Sequence, residues 1–104
     1  MITAAAASML AGQAEAANDF AAKTVMEKMQ ASERYPYIAG VVEGLTYSRF
    51  ARDGKKTEGM GCIYGWFYDK PETLDLIYAA FGQYPQYTAG AIISALAKKK
   101  ACGD

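Results

Sequence analysis

Histidine is absent from the sequence, and with it go the commonest general base, the commonest metal ligand and the usual switch at physiological pH. Net charge is absent too: eleven Lys and Arg balance eleven Asp and Glu, so no bulk field draws the chain toward nucleic acid or an anionic membrane. Cysteine is scarce. The two present, Cys62 and Cys102, form no C-x-x-C redox motif and cannot complete a tetrahedral zinc site without histidine. No apolar run reaches the ~20 residues of a membrane-spanning helix, and 104 residues leave room for one domain only. Ser8, Ser32, Ser48 and Ser94 have neither a histidine to activate them nor a G-x-S-x-G setting. Together these absences point away from an enzyme, a metal or organic cofactor, a nucleic-acid partner and a membrane span.

The opening of the chain reads differently from the rest. Residues 1–12 are small, apolar and uncharged, and Ala14 and Ala16 then stand in the small-x-small spacing that a signal peptidase accepts. We read residues 1–16 as the back half of a secretory signal and 17–104 as one domain, located in the periplasm or secreted. The positively charged head of such a signal is missing, as it is when translation starts further upstream. The rival reading is an alanine-rich first helix of a cytosolic protein.

Apolar spacing through the remainder is helical. Ala22, Val25, Met26 and Met29 share one face of a helix running from Asn18 or Asp19 to about residue 30, with Asp19 as its cap. Residues 32–36 then break the chain, and Pro36 opens a second helix ending near Arg52 before Asp53-Gly54. Its broad apolar face carries Tyr37, Ile38, Val41, Val42 and Leu45, while Gly40, Gly44 and Ser48 form a strip of small residues that suggests a second helix crossing closely. After a polar loop, residues 60–68 form a short apolar helix. A further helix starts at Pro71 with the stripe Leu74, Ile77, Tyr78, Phe81, and Thr88 caps a last one that buries Ala89, Ile92, Ile93, Leu96 and Ala97. Lys98, Lys99 and Lys100 sit at its negative end. The expected architecture is all-α: a compact single-domain bundle of four to five helices.

Few residues offer chemistry. A Cys62–Cys102 disulfide would staple the last helix to the middle of the chain and stabilise it by roughly 4 kcal/mol; in a reducing compartment the alternative is two buried free thiols. Gly59-x-Gly61-x-x-x-Gly65 fits no phosphate-loop spacing. Asp69, Glu72 and Asp75 read as helix-start charges. Glu43, between Val42 and Gly44, is either an acid facing a pocket or a solvated residue on the side of Arg49 and Arg52. Eight tyrosines are many for this length, and Tyr64, Trp66, Tyr68, Tyr84, Gln86 and Tyr87 mark a candidate surface for a protein partner, where amphipathic rings are favoured. A second copy of the chain, as a homodimer, is one such partner.

The stretch Tyr37-Ile38-Ala39-Gly40-Val41-Val42-Glu43-Gly44, followed by Cys62, Thr73-Leu74, Tyr84-Pro85, Ala95-Leu96 and Cys102, resembles the Rap/Tai-type immunity domain. Members are small periplasmic helical proteins of bacteria that bind and neutralise peptidoglycan-cleaving toxins of type VI secretion systems. The resemblance covers about residues 35–102 and implies a cell-wall amidase effector as partner. It departs from the family pattern at Tyr35-Pro36-Tyr37, where a further cysteine usually precedes the helix, and at Cys62-Ile63, where proline usually follows cysteine. A second reading is an acid-stress periplasmic chaperone of the Hde kind, also small, helical and held by one disulfide; an interaction domain of unassigned role is the third.

Overall fold

The computed structural model describes residues 20–102, with the Cys102 side chain excepted. The expected leader over 1–16 and the Asp19 cap lie outside the described residues. Five α-helices follow one another: α1 (Ala22–Lys28), α2 (Ala31–Arg52), α3 (Glu58–Tyr68), α4 (Glu72–Gln83) and α5 (Ala89–Ala97), and α5 widens into a π-helical turn, Lys98–Cys102. No strand occurs among the described residues. Among the described residues the all-α expectation and its helix number therefore hold.

The first break falls earlier than the proline suggested. Helix α2 begins at Ala31 because Gln30 and Glu33 form a capping box, in which the Glu33 carboxylate accepts the Gln30 amide at 2.9 Å. Pro36 then lies inside the helix, where it removes the N–H that would have reached the Ser32 carbonyl and its ring crowds that carbonyl. In α1 the leading amides are satisfied from outside the helix: Ala22 donates to the Tyr87 carbonyl at 2.8 Å and Lys23 to that of Pro85 at 3.0 Å. This ties α1 to the turn between α4 and α5, and Ala21 pairs with Thr88 in an isolated bridge. Thr88 caps α5 as expected, its hydroxyl accepting from the Ala91 amide.

Long α2 lies against α3 and α5, while α4 packs on α1, α3 and α5. The core draws on every helix: Val25 from α1, Ile38 and Val42 from α2, Ile63, Trp66 and Phe67 from α3, Ile77 and Phe81 from α4, Ile92 and Ile93 from α5. The apolar stripes expected in α4 and α5 are the ones used, with Leu74, Tyr78 and Leu96 partly buried at the margin.

One expectation is corrected, and another is not met among the described residues. Gly40, Gly44 and Ser48 face outward, and a Cβ built on either glycine meets nothing within 4 Å. Among the described residues no helix crosses there; the buried line of α2 is Ile38, Val42 and Thr46, one position per turn. The disulfide finds no support: Cys62 is a free, exposed thiol on α3, and the Cys102 side chain lies outside the described residues.

The glycine that close packing does require is Gly59, buried in the first turn of α3. A Cβ there would lie 2.6 Å from Asp53 Oδ2 and 2.7 Å from Arg49 Cζ, the two groups whose 2.8 Å ion pair closes the end of α2.

Candidate functional site

Helix periodicity divides the expected aromatic surface into three destinations. In α3, Ile63, Trp66 and Phe67 stand at i, i+3 and i+4 and turn inward; Trp66 is 4% exposed. Trp66 is thus a core ring and leaves the surface set. Its backbone carbonyl, orphaned in the last turn of α3, accepts the buried Thr73 hydroxyl from α4.

Tyr64 and Tyr68, one turn apart on the neighbouring stripe, reach across to α2. The Tyr64 hydroxyl donates to Glu43 Oε1 and the Tyr68 hydroxyl to Glu43 Oε2, each at 2.6 Å. The rings lie 5.2 Å apart. Glu43 is therefore exposed yet fixed, and the Tyr64 and Tyr68 hydrogen bonds hold its carboxyl below the usual carboxylate range. The reverse effect raises Tyr64 and pushes Tyr68 up to about 12. No lysine or arginine pairs with Glu43 among the described residues. Beside it, Thr46, Tyr47, Phe50, Thr57, Met60 and Tyr64 line a pocket of about 330 Å³.

Tyr84 and Tyr87 lie on another face. Their rings stack at 5.9 Å and 19°, exposed on a turn whose carbonyls hold the start of α1; Gln86, also exposed, sits between them. They form one end of an open groove of about 600 Å³ between α4 and α5. Leu76, Ala80, Ala91, Ile92, Ala95 and Leu96 make its apolar lining, and Lys99 and Lys100 stand in its wall.

The sequence reading named Glu43 and Tyr64 at the pocket and Tyr84 and Tyr87 at the groove, and missed the rest of both linings. For the Glu43 pocket the signal was present: Glu43, Thr46, Tyr47 and Phe50 stand at i, i+3, i+4 and i+7 on α2, a helical face in its own right. For the groove the signal was weak, because alanines at 79, 91 and 95 mark a surface only once the two helices are known to be neighbours. Among the described residues no cluster of His, Cys, Asp or Glu is placed to hold a metal, and no helix is long and apolar enough to cross a membrane. Comparison with protein-family models, curated proteins and solved structures produced no match.

Proposed function

We propose that this chain is a small exported protein-binding domain that engages its partner through the groove between α4 and α5. The groove itself carries the reading. Its floor combines bulky Leu76, Ile92 and Leu96 with alanines that let another backbone approach, its aromatic end is anchored by α1, and its opposite charge pole is Lys99 and Lys100. That chemistry fits an amphipathic helix on the partner, apolar along one face and acidic where it meets the lysines. The resemblance to Rap/Tai-type immunity domains supplies the partner's class, a peptidoglycan-degrading effector of a type VI secretion system. Export to the periplasm and closure of a Cys62–Cys102 bond belong to the same proposal.

Two experiments test it. The tagged chain is incubated with the secreted proteins of the cells that make it, beside the groove variant Ala95→Arg. A peptidoglycan hydrolase retained by the wild type and lost by the variant supports the proposal; retention by both moves the binding face elsewhere, and retention of no hydrolase removes the immunity reading. Intact mass from a periplasmic extract, with and without reductant, tests export and the bond: a product beginning at Ala17 that gains two hydrogens on reduction supports both. An unprocessed, already reduced chain overturns both.

A further inference from the structure

The pocket between α2 and α3 is chemically unlike the α4–α5 groove and lies outside it. Its defining feature is a carboxylate that is fixed and uncompensated. Two phenol hydroxyls hold the oxygens of Glu43 at 2.6 Å, no cationic side chain lines the pocket, and no described lysine or arginine forms an ion pair with it. Each carboxylate oxygen keeps accepting capacity beyond its one tyrosine. Around it stand the rings of Tyr47, Phe50 and Tyr64 together with the Met60 thioether, and Tyr47 is 70% exposed. On either side along the helix, Gly40 and Gly44 leave bare backbone, with open space where a Cβ would stand. A structural role for the cluster needs the two tyrosine bonds alone. It needs neither the exposed Tyr47 nor an open aromatic pocket beside an unpaired charge.

We infer that this pocket receives the guanidinium of an arginine side chain presented by a protein partner, paired with Glu43 and lying against the rings of Tyr47, Phe50 and Tyr64. Aromatic faces attract cations, and the most weakly hydrated of the protein cations gains most from them. A guanidinium also donates N–H groups in a planar fork to the free lone pairs of the carboxylate, which a quaternary ammonium cannot do. The volume of about 330 Å³ accommodates a side chain of that size and excludes a folded element.

The test is a titration of the full chain with N-acetyl-arginine amide, followed by backbone and tyrosine-ring NMR shifts at constant ionic strength. Saturable shifts at Tyr47, Thr57, Met60 and Tyr64, with half-saturation near ~10 mM, are expected for one exposed cation–aromatic contact with a salt bridge. Glu43→Gln weakens binding at least about tenfold, and Tyr47→Leu, which removes an exposed ring without touching the core, weakens it about threefold or more. Lysine amide or tetramethylammonium binding as tightly as the arginine probe overturns the guanidinium assignment. Shifts reproduced by potassium chloride, or unchanged in both variants, overturn the site. Amide-shift dispersion of the free variants shows that each remains folded, so a loss of binding is read on native protein.

Discussion

Glu43 and Tyr68 lie 25 positions apart in the chain and 2.6 Å apart in the fold. This contact and its Tyr64 twin form a polar tie across the closely packed pair α2 and α3, and their titration gives it a pH window. The folded carboxyl titrates below its ordinary value, so its contribution is present above the unfolded carboxyl pKa of ~4.3 and is lost as pH falls through the lower folded value. Tyr68 titrates upward to about 12, so its contribution is present below ~10 and is lost as pH rises toward 12. Melting temperatures of the wild type and Glu43→Gln should differ on a plateau from about pH 5 to 9 and converge at both ends. A difference independent of pH would mean that the ionised carboxylate contributes nothing. An acid-stress chaperone would open through the lower limb; if the chain held at about pH 2 to 3 leaves client-protein aggregation unchanged, that reading is removed.

What the sequence disclosed was periodicity, and what it concealed was which stripe meets which neighbour. Ile77 and Phe81, or Ile92 and Ile93, are apolar at helical spacing and bury as that spacing requires. Trp66 and Tyr64 stand two positions apart in the same aromatic run, and only the angular offset between them decides that one is core and the other reaches Glu43. The Gln30 and Glu33 box was legible as a helix start, but Pro36 is the louder signal and places the boundary too late. The α4–α5 groove was the least legible, since it depends on two helices that the turn at residues 84–88 brings together.

Gly40 and Gly44 provide a direct check of the open face. Because a Cβ at either position meets nothing within 4 Å, Gly40→Ala and Gly44→Ala should each stabilise the protein by up to ~1 kcal/mol through lost freedom of the unfolded chain. Urea denaturation midpoints measure this. Destabilisation by either change would restore the closely crossing helix that the strip first suggested.

Gly59 should behave in the opposite way. Its Cβ would enter the Arg49 and Asp53 pair, so Gly59→Ala displaces the tips of those two side chains and loosens their ion pair, for a net loss of at most about 1 kcal/mol. Gly61→Ala, two residues on in the same helix with open space at its Cβ, should be neutral or mildly stabilising. The pair of variants separates crowding from helix propensity, which would move both in the same direction.

Thr73 joins α3 to α4 through one buried hydroxyl that donates to the Trp66 carbonyl. That carbonyl lies in the last turn of α3, beyond the reach of an intrahelical partner, and the hydroxyl that satisfies it is buried. Thr73→Val keeps shape and volume but strands the acceptor, so urea unfolding should show a loss of about 1 to 3 kcal/mol. Thr73→Ser keeps the hydroxyl and removes one methyl group, which costs about 1 kcal/mol. If the hydroxyl matters as the geometry implies, the isosteric valine is the more damaging change although it is the more hydrophobic. An equal or smaller loss in the valine variant would assign this junction to packing alone.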